Sequence, residues 1–392
     1  MRVLYVLPSL LTGGAESLVS QWSGLLAAAG HTVAVCTLYT GGPFAQRLAA
    51  HGVPLYNLNH DPGIEHYRLR RKYDPRLVSS LARLIRAGSY QIVHGHLFPS
   101  LLHLALAAYL APGPAYLYSE HSVHNRRRRH RAFKALDRFL YGRFHQVLPV
   151  SEGVRAALGE WLPELNAKMQ VVPNTVNGAS APADPEAAAA LRTELGIRPE
   201  ERVVLYAGRL VPDKGPDLLL AAAAHLARRA GPPVRFLLAG DGPLRAGLEE
   251  QARSLSSGGP VRVNCLGTRA DLPALLGLAD LVALPSRWEG LPMFLLEAMA
   301  AGKAVLGSNV GGIPDGIEHD VSGWLVPPED PPALARGLDC LLARPELRRR
   351  LGAGARRTFE ERFSPEIAIQ ALLGVYARFA PEMVVGHDLV LP

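Results

Sequence analysis

Two glutamates separated by seven residues, Glu289 and Glu297, stand in the segment RWEGLPMFLLEAMA at residues 287–300. The segment follows LADLVALPS, an apolar run of strand length that ends in Pro-Ser, so it opens where a buried strand hands over to a helix. Gly290 lets backbone approach a ligand, and Pro292 suits the first helical position because its missing N–H is not needed there. A helix running from Leu291 onward would leave its first amides unpaired and partly positive, which is a ready site for a phosphate. Glu297 would lie roughly 7–8 Å further along the axis, at about 1.5 Å per residue. Two carboxylates flanking a phosphate suit a nucleoside-diphosphate sugar, with hydroxyls of the sugar at Glu289 and the ribose diol at Glu297. An amphipathic helix with two solvated glutamates is the plain alternative.

Such residues need a scaffold, and the alternation of short apolar runs with helical stretches supplies one. RVLYVL, TVAVCT, VPLYNL, IVHGH, AYLYS and QVLPV fill the first half, and RVVLYA, VRFLLA, VRVNCLG, DLVALP, KAVLG and GWLVPP the second. This pattern predicts parallel sheets covered on both faces. NTVNGASAPADPEAAAA interrupts it, and RVVLYA restarts much as RVLYVL began. The expected organisation is a Rossmann-like domain over 1–173, a linker over 174–200, a second Rossmann-like domain over 201–362, a final helix within 363–380 and a tail over 381–392. In open parallel sheets ligands bind beyond the carboxyl ends of the strands. Gly13 and Gly14 follow the first strand, Arg209 and Lys214 lie in GRLVPDKG after the first strand of the second half, Gly240 begins GDGP, and Gly267 and Arg269 close VRVNCLG.

Bulk properties narrow the function classes. With 48% apolar and 20% charged residues the 392-residue chain is globular, and three scattered cysteines, Cys36, Cys265 and Cys340, form neither a disulfide framework nor a zinc motif and suit a reducing, cytoplasmic compartment. Neither a signal peptide nor a transmembrane segment is expected, since Pro8 breaks the first apolar run and Pro112-Gly113-Pro114 the one over 97–119. Up to Pro173 there are 19 Lys and Arg against 9 Asp and Glu, net +10; the remainder has 23 against 26, net −3. The positive half concentrates its charge in RLRRK at 68–72 and in Arg126, Arg127, Arg128, Arg129, Arg131, Lys134 and Arg138, the last group expected on a helix that also carries Phe133, Leu136, Phe139 and Leu140. A basic amphipathic helix reads as a contact for an anionic membrane surface or a lipid-linked acceptor; a solvated helix face is the alternative. Interleaved aromatics and a recognition motif are both missing, so nucleic acid is not expected as a partner.

With GRL…DKG, GDGP, PSRWEGLPMFLLEAMAAGKAV and GGIPDGIEHDVSGWLVPP in that order, and GGAE, IVHGH, SEHS and VPNTVN before them, the chain resembles a retaining glycosyltransferase of the GT-B type, family four. The resemblance implies two Rossmann-like domains facing a cleft, the first binding the acceptor and the second a UDP- or GDP-sugar, with the C-terminal helix returning to the first domain. It also implies a role for each matching residue. Glu297 would bind the ribose and Glu289 orient the transferred sugar. The stretch Gly290, Leu291, Pro292, Met293, Phe294 and Leu295 would hold the β-phosphate through its amides. Arg209 and Lys214 would neutralise the leaving diphosphate, His121 would lie near the sugar, and Gly13, Gly14, Gly240, Gly267 and Arg269 would line the donor site. Asp315 replaces the usual Glu of GGIPE, and Phe294 is bulkier than usual; both bear on sugar choice. The sequence contains no D-x-D, so no metal cofactor is expected. A zinc hydrolase using His94, His96, His121 and His124 is a rival reading, as is a GT-B relative that epimerises a nucleotide sugar or has no activity.

Overall fold

The computed structural model describes residues 1–11, 13–59, 73–177, 185–228 and 231–380. The RLRRK cluster and the tail beyond residue 380 lie outside the described residues, as do the side chains of Arg126 and Arg129. The chain divides into two compact units, one formed by Met1–Thr175 with the segment from Pro365 onward, the other by Val176–Ser364.

In the first unit six parallel strands are ordered β3-β2-β1-β4-β5-β6. They are β1 (Arg2–Ser9), β2 (Thr32–Thr40), β3 (Leu55–Asn57), β4 (Ile92–His96), β5 (Ala115–Glu120) and β6 (Gln146–Pro149). β1 and β4 are buried over almost their whole length, which accounts for their unbroken apolar sequence: helices cover both faces of the sheet. One face packs against the helix Gly14–Ala28 through Leu18, Val19 and Trp22, and against the helix Pro365–Ala377 through Ile369, Leu372 and Tyr376. The other face is covered by the helices Pro75–Gly88, Ser100–Leu110 and Phe133–Gly142.

The second unit repeats the plan with the order β12-β11-β10-β7-β8-β9. Its strands are β7 (Arg202–Ala207), β8 (Val234–Ala239), β9 (Val261–Gly267), β10 (Leu281–Leu284), β11 (Val305–Ser308) and β12 (Trp324–Val326). Both orders are those of a doubly wound sheet, which reverses direction between β1 and β4 in one unit and between β7 and β10 in the other.

Two expectations about elements need correction. The stretch assigned to a linker carries a helix, Pro185–Glu194, that packs on the helix Leu272–Leu278, with Leu191 and Ile197 buried. The stretch interrupts the strand-helix alternation, but alanine is the strongest helix former, and Leu191 anchors the helix it forms. In the basic region, Arg126–Arg129 forms a short 3-10 turn and the α-helix begins only at Phe133. Asn125 opens that turn, its side chain accepting the Arg127 amide at 3.1 Å.

Candidate active site

The ends of the second unit's central strands are stitched together by glycines whose missing Cβ allows backbone contact. A Cβ on Gly240, at φ 144°, would lie 1.9 Å from the Gly208 carbonyl oxygen, so the turns after β7 and β8 touch. Leu210 N–H donates to Asp241 O at 2.8 Å and Gly240 N–H to Gly267 O at 2.7 Å, which adds the end of β9. Gly215, at φ 64°, presses its backbone on Pro285 at the end of β10, where a Cβ would meet the carbonyl at 2.0 Å. Arg287 fastens the same two turns: its amide donates to Asp213 O at 2.9 Å, one guanidinium nitrogen to Pro212 O at 2.6 Å, and the fork grips Asp217 at 2.9 and 2.7 Å. Although partial burial opposes it, that bond holds the Asp217 carboxyl below its usual range.

This clamp brings Lys214 and Glu289 together across the reversal point of the sheet. Lys214 Nζ lies 2.5 Å from Glu289 Oε2, and Ser286 Oγ donates to Oε1 at 2.9 Å; the Glu289 side chain is buried. Sequence reasoning assigned the two residues separate tasks and missed both their pairing and Ser286, although a Ser three residues ahead of a turn carboxylate is a common local donor. Arg209 is exposed and forms no ion pair among the described residues. Arg269 differs: Asp271 holds it at 2.5 and 2.8 Å and Glu194 at 3.5 Å.

The helix expected from Leu291 starts two residues later, at Met293, with Pro292 extended (φ −67°, ψ 131°) as its N-cap instead of its first helical residue. The ring of Pro292 fixes φ but leaves ψ free, and here its carbonyl accepts from Leu295 N–H at 3.1 Å. Leu295 is thereby removed from the amides open to a ligand, while Met293 and Phe294 precede the first helical bond. Glu297 is the fifth helical residue and partly buried. Phe294 is buried. From the far side, Gly311 at φ 55° abuts the backbone of Glu289, whose carbonyl oxygen would lie 1.9 Å from a Cβ.

In the first unit a run of imidazoles occupies the equivalent strand ends. His94 and His96 on β4 are fully buried, with ring centroids 4.3 Å apart, and His96 Nδ1 lies 3.0 Å from His121 Nε2. His94 is held on both sides, by Tyr376 OH at 2.7 Å and Ser119 Oγ at 2.9 Å, and Tyr376 OH in turn donates to Tyr5 OH at 3.1 Å. Burial pushes His94 down to about 3 and His121 down to about 4, and holds His96 well below its usual value, with mutual repulsion adding to the effect at His94 and His96. All three are therefore neutral near pH 7 and act as hydrogen-bonding groups. Both nitrogens of His94 are engaged, and among the described residues no group of three or more His, Cys, Asp or Glu could hold a metal ion. Gly13 is the extended N-cap of the helix Gly14–Ala28, and a Cβ there would lie 2.2 Å from the Glu16 carboxylate.

Two of the arginines expected to face a membrane or acceptor, Arg127 and Arg128, turn inward instead. Arg128 pairs with Glu120 at 3.0 Å, and Arg127 pairs with Asp137 at 2.9 Å while stacking on Phe98 at 4.0 Å; all four charged side chains are at most 14% exposed. Buried carboxylates require such partners, and Glu120 also accepts from the Tyr141 hydroxyl and, at 3.1 Å, from Ser122 N–H. Both Glu120 and Asp137 escaped sequence reasoning; a carboxylate ending an apolar strand beside His121 was the available signal.

Known proteins match both halves. The family model described as Glycosyltransferase Family 4 matches residues 12–179, and that described as Glycosyl transferases group 1 matches residues 188–358. The chain belongs to the group 1 glycosyltransferases. Among curated members of this kind it is 35% identical over 195 residues to an alpha-D-kanosaminyltransferase of Streptomyces kanamyceticus, covering 50% of each chain. It is 39% identical over 215 residues to a D-inositol 3-phosphate glycosyltransferase of Segniliparus rotundus, covering 53% of this chain and 46% of that one. The chain spans about half the length of the curated relatives it matches. Its fold is shared with Anabaena HepE, solved with UDP and glucose (TM-score 0.83, 23% identity, 96% of this chain and 100% of that one). Sucrose-phosphate synthase of Thermosynechococcus elongatus shares it too (TM-score 0.79, 20% identity, 97% and 99%). Two Rossmann-like domains of the GT-B type are thus the fold of this group 1 member.

Proposed function

We propose that this protein is a metal-independent retaining glycosyltransferase, moving a hexose from a UDP- or GDP-sugar to a hydroxyl acceptor in the synthesis of a cell-envelope glycan or glycolipid, at the cytoplasmic face of a membrane. The observation that carries the reading is the Lys214–Glu289 pair, built across the reversal point of a doubly wound sheet, where such folds bind nucleotides. It presents an ammonium to a phosphate oxygen and a carboxylate to sugar hydroxyls within one contact. Arg209 adds a second cation, the amides of Met293 and Phe294 receive the β-phosphate, and Glu297 takes the ribose diol. His121, neutral and donor-capable, is assigned to a hydroxyl of the sugar, and Gly13 and Gly14 are further candidate donor contacts.

Transfer breaks the bond from the anomeric carbon to the diphosphate and forms one from the acceptor oxygen to the same face of that carbon, while the acceptor's proton passes to the departing phosphate oxygen. The barrier lies in charge growing on the leaving group, and fixed cations and amides stabilise it without reorganising. With no D-x-D in the sequence, Arg209 and Lys214 take the role that a bridging metal has elsewhere. The test is product analysis with UDP- and GDP-hexoses and a panel of lipid-linked and soluble hydroxyl acceptors in EDTA. The expected outcome is an α-linked product from an α-linked donor at undiminished rate. A product of inverted configuration, transfer restored only by Mg²⁺ or Mn²⁺, or an epimerised donor formed without acceptor would contradict the reading.

A further inference from the structure

The helices Ser100–Leu110 and Phe133–Gly142 pack side by side in the first unit, burying Leu101, Leu104 and Ala108 from one and Leu140 and Tyr141 from the other. Their outward flanks are also apolar. Leu106, Tyr109, Leu110, Phe133, Leu136 and Phe139 are 36–52% exposed, and the two helices join on the surface where Tyr109 stacks on Phe139 with centroids 6.1 Å apart. These are six of the eleven large apolar side chains exposed among the described residues, gathered on one face, and contiguous patches of this kind mark interaction sites.

We infer that this face is an interfacial docking surface for an anionic lipid bilayer, a proposal that rests on the reading of a membrane-borne acceptor and places the contact here rather than at Arg127 and Arg128. Charge selects the occupant. Arg143 lies 3.9 Å over the Tyr109 ring, Arg86 donates to Leu110 O at 3.1 Å at the end of its helix, and Arg131 is exposed just before Phe133. From residue 97 to 136 the sequence holds a single acid, Glu120, which is buried against Arg128; Asp137, the next, is buried against Arg127. The patch is therefore apolar with Arg86, Arg131 and Arg143 at its edge, and Arg138, on the same helix as Phe139, is paired with the partly exposed Glu164. A symmetric dimer through this face would bring Arg86, Arg131 and Arg143 close to their own copies with Glu164, already paired to Arg138, as the carboxylate at hand, whereas anionic headgroups would meet each of the three. Tyr and Arg suit the boundary layer, with apolar stems in the acyl region and polar tips at headgroup level. No helix among the described residues is long and apolar enough to cross a membrane, so the contact is made from one side.

The experiment is sedimentation of the full chain with vesicles of phosphatidylglycerol mixed with phosphatidylcholine, and of phosphatidylcholine alone, across a salt series. Wild type is expected to bind the anionic vesicles, to leave them as salt rises, and to ignore neutral ones. Leu136→Asp, and separately Phe133→Ser with Leu110→Ser, should lower binding at least tenfold with an unchanged thermal midpoint. Arg131→Gln should weaken binding less and flatten the salt dependence. Variants that bind like wild type, or equal binding to neutral vesicles, would overturn the proposal. So would a wild-type dimer that Leu136→Asp converts to monomer without vesicle binding, which would assign the face to a second copy. Nucleoside-diphosphate binding is measured on the same samples, so that a chain that binds nucleotide but no vesicles counts against docking alone. One that binds vesicles but no nucleotide counts against the transferase reading alone.

Discussion

At the scale of the residue, the chemistry converges on groups that the sequence separates widely. Glu289 and Lys214 are 75 positions apart and meet only because Gly215 and Arg287 lock the two turns against each other. Their types and local motifs were legible; their contact was not, because a turn's direction depends on backbone it touches elsewhere. In the proposed mechanism Lys214 acts on charge that grows during transfer, so Lys214→Ala should lower kcat by about 10²–10³. Steady-state kinetics would contradict this if only KM changed. The imidazole run gives a second expectation. His94 and His121 titrate at about 3 and about 4 in the folded chain against 6.5 when unfolded. Between those values the unfolded state binds more protons, so stability is full above pH 6.5 and declines as pH falls toward 4. Urea midpoints measured from pH 7.5 to 4 should drop through that window, and a flat profile would contradict the burial of these rings.

Elements were legible wherever apolar periodicity ran unbroken. All twelve strands among the described residues coincide with runs visible in the sequence, because a parallel sheet covered on both faces tolerates few polar residues. The failures came where charge or composition misled. Pro185–Glu194 is a helix despite its alanine-rich monotony, and Arg127 and Arg128 sit inward because Glu120 and Asp137, acids that the apolar context obscured, are buried beneath them. Burial and Glu120 act on Arg128 in opposite directions, burial against its charge and Glu120 for it; the carboxylate prevails and holds the guanidinium above its usual range. Removing one member of such a pair leaves an uncompensated buried charge, so Arg128→Met should cost about 3–5 kcal/mol. Adding Glu120→Gln should restore part of the loss, since the charge then goes with its partner. Chemical denaturation of the two variants checks this; a single variant as stable as wild type would mean that the pair is exposed in solution.

On the scale of the whole molecule, one plan occurs twice: six parallel strands that reverse order at the centre, with the informative residues just past the carboxyl ends beside that reversal. The restart of RVVLYA after RVLYVL announced this repetition. The segment from Pro365 belongs with the first unit, and its Tyr376 hydroxyl reaches His94 at 2.7 Å, a link spanning 282 positions that no local pattern could disclose. Arg127 and Arg128 are internal, each neutralised by a buried carboxylate, and the cations beside the apolar face are Arg86, Arg131 and Arg143. The central claim, that the second unit binds a nucleoside-diphosphate sugar through the helix bearing Glu297, is tested most directly by calorimetric titration of UDP and GDP into wild type and Glu297→Ala. Loss of charge-assisted bonds at about 1.5–3 kcal/mol corresponds to roughly 10- to 150-fold weaker binding. The account predicts one nucleotide per chain for wild type and a loss of that size in a folded variant. Equal affinity in both, or no binding of either nucleotide to wild type, would contradict it.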